Sequence, residues 1–517
     1  MKLLFCLLTL VFVFNVHAQT TFNRQVDFGE YGFPFHLFTS VLPTDSCYYV
    51  TGNISDTTDG FFAYGNIFAK FNLDGEMLFF KKVTKPDRDY FTWRGDLVPT
   101  PDGGLLDIGI VVDTVIKGVL IKYSTEGDTL FTREYFNPLY PEEDFLYAAG
   151  LKVTEDNKVK ALFGFEAGSE NDIYLLTLDS LGNVLDSNIY GDATHQFPQR
   201  LVLDGDGGVL IPSSKTNSHL VSKNFTSRTH LFKVDGSGEV EWEYLSPQGQ
   251  LFDHAHELVK TPDGGIIVSS GKGIEHQINI ESGQLRWNSY LLKLDSNQNV
   301  EWELELRGTR PSVGTGLTRL VPAIDGSGYV GTGRLAEDVS TGVELFTTWI
   351  TKVSPQGDSL WARYFNFFDG YNAKPNPYDL KNTSDGGYII CGETDPSNVG
   401  DIKDGSWLMK VDSFGCLIPD CQIVGTEEAQ NGSVGIAIYP NPTSDFLNFQ
   451  LRCKNVNDEG VFQILSSSGD VLKTMNSGQL GDTYIVPIGD WSAGIYFLQY
   501  VDEKNNTMVS EKFIISP

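Results

Sequence analysis

Basic residues are what this 517-residue chain lacks most: 38 Lys and Arg stand against 67 Asp and Glu, for a formal charge of −29. A surface that negative repels phosphate backbones and anionic lipid, which argues against nucleic acid as a partner. Methionine is scarce at 5, and cysteine stops at 6. No cysteines have the CxxC…CxxC spacing of a structural zinc site. After the first few residues no run is apolar enough to cross a bilayer, which takes about 20 residues, so no membrane span is expected. GxSxG, HExxH and Walker sequences are missing as well. What is abundant is glycine (53), phenylalanine (34) and tyrosine (22). That composition favours many short strands joined by tight turns over long helices.

Residues 1–18 read as an export signal: Lys2, an apolar run from Leu3 to Phe14, then Val16-His17-Ala18 before Gln19. Charged, apolar and small-residue regions follow in the order a signal peptide requires. No Cys follows the cleavage point, which disfavours a lipoprotein. In an oxidising compartment Cys416 and Cys421, within GCLIPDC, can close a small disulfide loop, with two separate thiols as the alternative.

Two short motifs alternate through the middle of the chain. The first is a strand ending in Lys, a polar turn and a second strand, as in HLFKVDGSGEVEW at 230–242 and WITKVSPQGDSLW at 349–361. It occurs seven times, with Gly75, Gly127, Gly182, Gly238, Gln298, Gly357 and Gly415 equivalent, at a period of ~57 residues. The second is a turn around Asp-Gly-Gly and a strand ending in Gly, as in TPDGGLLDIG from Thr100 and TSDGGYIICG from Thr383. Each repeat therefore holds one four-stranded antiparallel sheet. Seven such sheets predict an all-β fold, a seven-bladed β-propeller over residues 19–421, with an open solenoid as the alternative. The last repeat lacks its fourth strand, and TFNRQVDFGEYG at 21–32 is expected to supply it. In wording the repeats resemble those of secreted Bacteroidetes propeller-like proteins and, more distantly, quinoprotein propellers. The quinone-docking set is missing, so no cofactor is implied.

Propeller ligands commonly sit at the channel mouth, on segments that lead into the innermost strands. Those segments carry His36, Trp93, Arg94, Tyr147, His195, His254, His256, Asn376 and Tyr378. Of these, His36, Trp93, Arg94, His195, His254 and His256 are the candidate ligand-binding residues. In extended chain His254 and His256 point to one side and form half of a metal site, but spacing fixes no third ligand. The plainer reading is two polar loop residues. Asp204-Gly205-Asp206-Gly207-Gly208 reads as a turn rather than half a calcium loop, and Trp242, Trp302 and Trp361 as packing between blades. No catalytic residue is assigned.

After Cys421 the text changes. Residues 422–435 are polar and Gly-bearing, a linker. From Ile436 to Pro517 short strands are separated by Pro, Gly and Asn turns, the pattern of a small immunoglobulin-like β-sandwich. This stretch resembles the type A C-terminal sorting domain of the type IX (Por) secretion system. The matching residues are Tyr439-Pro440-Asn441-Pro442, Gly469 in its Ser-Gly-Asp hairpin, Gly494 and Tyr496 at a strand start, and Lys512 near the end. The resemblance implies export across both membranes, the secretion machinery as a partner, and a product released or held at the cell surface. The expected activity is binding of a glycan, peptide or surface protein. An extracellular polysaccharide hydrolase or lyase is the alternative.

Overall fold

The computed structural model describes residues 19–516, apart from 34, 57–62, 86, 93–95, 143–144, 169, 218–225, 248–252, 274–286, 307–311, 338–344, 368–373, 396–404, 419–420, 422–434, 453–459, 478–481, 503 and 505–506. The export-signal segment, Trp93, Arg94, Cys453 and nearly all of the linker therefore lie outside the described residues. Among those described the only helical element is one turn of 3-10 helix, Gly29–Tyr31. None is a helix long and apolar enough to cross a membrane.

Everything else is strand. Each repeat forms one antiparallel sheet in simple chain order, for example Phe35–Pro43, Tyr48–Asp56, Ala63–Phe71 and Met77–Val83 in the first. Six more follow, and in the second and fourth the first strand is split, as Asp89–Phe91 with Val98–Pro99 and His195–Pro198 with Val202–Leu203. The seventh takes three strands from its own repeat and its fourth from the N-terminus. Phe22–Val26 runs antiparallel to Gly405–Val411, with Phe22 opposite Lys410. In every case the first strand packs on the sheet before it. The first strand of the first sheet packs in the same way on the seventh.

Turn chemistry explains why the repeat is visible in sequence. All seven equivalent turn residues have positive φ, from 64° at Gln298 to 94° at Gly238. That left-handed conformation favours Gly because a Cβ crowds the following carbonyl. The outer strands lie over these turns in the next sheet. A Cβ at Gly415 would fall 2.6 Å from the ring of Trp361, and Trp302 covers Gly357 in the same way. The equivalent tryptophans are thus packing between sheets.

The glycine that ends the second motif has a different cause. First strands carry a bulge at Thr39, Ala149, His256, Thr318 and Tyr378, each the residue skipped in the pairing register. The bulge brings a carbonyl against the second strand. A Cβ at Gly52, Gly333 or Gly392 would lie 1.9, 1.5 and 2.0 Å from Leu37 O, Gly316 O and Asn376 O. Only glycine leaves room for that approach.

The tail has two layers. Gly435–Ile438, Phe446–Arg452 and Thr483–Pro487 form one sheet. Val471–Asn476, Val461–Ser466, Gly494–Asp502 and Thr507–Ile515 form the other. Phe449, Phe462, Ile464, Tyr484, Leu498, Tyr500 and Phe513 fill the space between them.

Candidate functional site

The residue directly after each bulge is the most informative position in the molecule. In chain order the seven sheets place Ser40, Asp96, Gly150, Arg200, Glu257, Arg319 and Asp379 there, each followed by a buried Val or Leu. The bulge, or the break in the split strands, shifts this side chain off the alternating pattern. Six of the seven carry side chains with polar atoms, and all six are buried. They meet. Arg200 binds Asp96, and its Nε lies 3.3 Å from Glu257 Oε2 and its Nη2 3.6 Å from Asp379 Oδ1. Arg319 Nε is 3.9 Å from Asp379 Oδ1. Ser40 Oγ donates to Asp379 Oδ2 at 3.2 Å and accepts from Leu97 N–H at 2.9 Å. From the layer beside it, Lys152 Nζ reaches Asp96 Oδ2 at 3.0 Å and Lys381 Nζ reaches Asp379 Oδ1 at 2.9 Å. Six sheets place side chains of the post-bulge position in this network. The third, with Gly150, enters through Lys152.

Burial opposes ionisation of all these acids. At Asp96 the neighbouring Arg200, Lys152 and Lys381 prevail and hold the carboxyl well below its usual range. The same holds at Asp379, where Lys381, Arg200 and Arg319 outweigh burial. At Glu257 burial wins over Arg200 and Arg319, and the group is raised. One neighbour stands apart. Asp107, on the second strand of the second sheet, is fully buried and pushed up to about 7, first by burial, with the charges of Asp96 and Asp379 adding to it. Its Oδ1 accepts from Ile108 N–H at 2.9 Å, and that bond, with a side-chain hydrogen bond from Thr51, only partly offsets the rise.

The described candidates His36, His195, His254 and His256 lie on the first strands upstream of the post-bulge positions, His256 as the bulge residue itself, and they do not form one cluster. His36 is buried: its Nε2 accepts from Phe28 N–H at 3.3 Å and its Nδ1 lies 2.9 Å from Ser406 Oγ. It thereby ties the first sheet to the seventh. His195 is also buried, with Nδ1 2.9 Å from Asn171 Oδ1 and its ring stacked on Phe197. His254 and His256 are together, ring centroids 4.2 Å apart and edge-on. Asp253, the next residue upstream, is raised to about 6, chiefly by burial. Elsewhere on this rim Glu393 Oε1 accepts from Tyr378 Oη at 2.5 Å and Asn376 Nδ2 at 3.0 Å, and Arg334 Nη1 donates to Asn376 Oδ1 at 2.6 Å. Among the described residues no three His, Cys, Asp or Glu side chains are placed to hold a metal.

The buried network was legible in principle. Each repeat carries one varying residue just before a Val or Leu, at a fixed distance ahead of its turn, as in Asp96-Leu97, Arg200-Leu201, Glu257-Leu258 and Asp379-Leu380. The features that the repeats share draw the eye away from the one position where they differ. Cys416 and Cys421 are joined, with an S–S distance of 1.92 Å.

In the tail, the resemblance residues are physically linked. The Tyr439-Pro440-Asn441-Pro442 segment lies along the final strand. Asn441 Nδ2 donates to Lys512 O at 3.1 Å, and its Oδ1 accepts from Ile514 N–H at 3.0 Å. Tyr496 stacks on Phe513 and donates to Ser492 O at 2.8 Å, close to Gly494, which opens that strand. Gly469 sits at φ 90° in its hairpin.

Residues 437–516 match the family described as the secretion system C-terminal sorting domain. The chain is accordingly a secreted or cell-surface protein, and its tail implies an interaction with the secretion machinery. No curated protein matches the chain by sequence. Among solved structures, a polysaccharide lyase of family PL25, an ulvan lyase, is similar over 76% of this chain and 97% of its own, at 8% identity and TM-score 0.47. Hydrazine synthase of Kuenenia stuttgartiensis is similar over 71% and 97%, at 13% identity and TM-score 0.42. An endo-arabinase from Bacteroides thetaiotaomicron is similar over 46% and 90%, at 14% identity and TM-score 0.31. At such scores no activity or residue role is carried over from them.

Proposed function

We propose that residues 19–421 form a closed seven-bladed β-propeller that acts outside the cell as a binding module for a glycan, peptide or surface protein. In this reading residues 1–18 are the signal peptide, 422–435 a linker and 436–517 an immunoglobulin-like sorting sandwich read by the type IX system. The observation that carries it is the buried network. Side chains from seven successive sheets meet around Arg200, Asp96 and Asp379, as expected of sheets that surround one axis. In this reading the buried charges of the network pair with one another across the sheets, and a ligand is met on the rim that bears the varied loops. By the same reading His195, His254 and His256 lie at that rim, while Trp93 and Arg94 are outside the described residues. His36 is built into the wall beside it.

A second reading keeps the alternative alive. The His254–His256 pair, with Asp253 beside it raised to about 6 by burial, is the arrangement from which proton transfer to a polysaccharide is built. The purified mature chain, screened against a glycan array and for new reducing ends with and without chelator, separates the two. Saturable binding without turnover supports the module. Turnover that His254→Ala or His256→Ala abolishes replaces it with the enzyme, and silence in both assays moves the ligand to the protein class.

A further inference from the structure

The tail is joined to the repeats by more than its linker. Its strand Thr483–Pro487 adds in parallel to Ser359–Phe367, the outer strand of the sixth sheet, with Phe365 opposite Thr483 and Phe367 opposite Ile485. One seven-stranded sheet thus crosses from the repeats into the sorting domain. Phe446 and Ile485 are buried in a cluster with Phe365, Trp407, Met409 and Leu417 of the repeats, and belong to that cluster rather than to the tail's own interior. Arg24 Nη1 lies 3.5 Å from Asp445 Oδ2.

These contacts draw on three segments that are far apart in sequence. Phe365 and its neighbours come from the sixth sheet. Leu417 comes from the loop that follows the seventh. Arg24 comes from the N-terminal strand Phe22–Val26, which completes the seventh sheet. N-terminus and loop are themselves tied: Thr21 Oγ1 donates to Leu417 O at 2.7 Å, and Gln19 Oε1 accepts from Ser413 N–H at 2.8 Å. The seat is complete only after the N-terminal strand has paired. We infer that the sorting domain docks on a platform that ring closure creates, so that its docked state reports a correctly closed repeat body. The inference rests on the closed-propeller reading. Coupling of this kind is reciprocal: docking favours closure to the extent that closure favours docking.

The test uses the full mature chain with a specific protease site substituted into residues 426–431 of the linker. After cleavage, gel filtration asks whether the tail stays with the repeats, and hydrogen exchange follows the amides of 22–26, 365–367 and 483–485. The tail is expected to co-elute, with all three segments protected. Ile485→Asp is expected to release it while the amides of 461–466 and 494–502, in the tail's other sheet, stay protected. Arg24→Glu is expected to weaken retention roughly fivefold, the upper end for a part-exposed ion pair, and Asp445→Arg in the same chain to restore it. Release of the tail from the wild-type chain while 22–26 remains protected overturns the inference and leaves the closed ring standing. Unprotected 22–26 amides in the wild type overturn the ring itself. Retention unchanged by both Arg24→Glu and Ile485→Asp overturns the platform.

Discussion

Two series of equivalent positions, a turn girdle and a buried belt, run through the same seven sheets, and they are built on opposite principles. The turn girdle repeats one solution: a left-handed residue at every equivalent position, glycine in six sheets and Gln298 in the fifth. The buried belt after the bulges keeps no single residue type, running Ser, Asp, Gly, Arg, Glu, Arg, Asp, with no two neighbouring sheets alike. A turn sees only its own strands and the cover of one neighbour, so identical turns coexist without cost. Residues that meet at a common centre see one another. Seven like charges there would repel at low dielectric, and seven like polar groups would leave partners unmade. Backbone geometry can therefore be copied from repeat to repeat, while the centre has to be composed.

The belt is weakened most if it loses its central cation. Arg200→Met keeps the volume and leaves Asp96, Glu257 and Asp379 facing one another without it. Removing one partner from a buried ionic cluster costs about 3–5 kcal/mol, so urea unfolding should shift by that amount, and a loss below about 1 kcal/mol would mean that water already solvates the belt. Asp107 probes the same region through pH. Its folded-state pKa of about 7 lies above the ordinary 3.8, so the folded chain holds a proton that the unfolded chain has released. Its contribution is therefore full below pH 3.8 and is lost as pH rises through 7. Asp107→Asn should raise the melting temperature at pH 8 relative to wild type, and the gain should shrink by pH 5. An equal effect at both values would show that Asp107 is ionised throughout.

The glycines opposite the bulges test whether the belt depends on them. In Gly392→Ala the new Cβ meets a backbone oxygen, Asn376 O, 2.0 Å away, and neither strand can yield without moving the bulge that precedes Asp379. The expected loss is about 1–3 kcal/mol, as for overpacking. It should be accompanied by faster hydrogen exchange at Val41, whose N–H donates to Asp379 Oδ2 at 3.0 Å. Loss of stability without that local change would separate the bulge from the belt.

Sequence reasoning reached the strands, the turns and the N-terminal strand of the seventh sheet because each follows from local rules. Glycine marks left-handed positions, Asp and Thr mark turns, and alternation marks strands. The bulges were invisible, since nothing in FTSV, AHEL or NPYDL announces a skipped residue, and with them went the inward rotation of Ser40, Glu257 and Asp379. His36 illustrates a second limit. Its partners, Phe28 N–H and Ser406, come from the N-terminal segment and the seventh sheet, so its part in joining the ends of the repeat series depends on contacts that span the chain. In the tail the opposite held: Asn441 and Lys512 are far apart in sequence yet both stood out, because the motif that names them also joins them.

The smallest expected effect isolates the turn girdle. Gln298 holds φ 64° where its six counterparts are glycine, and a side chain in that region costs roughly 1 kcal/mol. Glycine also gives the unfolded chain more freedom, which offsets part of the gain, and the bond from Gln298 Nε2 to Ser296 O is lost. Gln298→Gly should therefore stabilise by about 0.5 kcal/mol. Asn157, at φ 63° in the other turn series of the third sheet, provides the control. Its short amide tolerates the left-handed region better than a Gln does, so Asn157→Gly should gain less. If urea titration finds the two gains equal, backbone strain is not what separates the fifth turn from the rest. If Gln298→Gly alone is stabilising, the turn girdle is a set of local optima with one residue short of it, whereas each change in the buried belt is felt by every sheet that meets there.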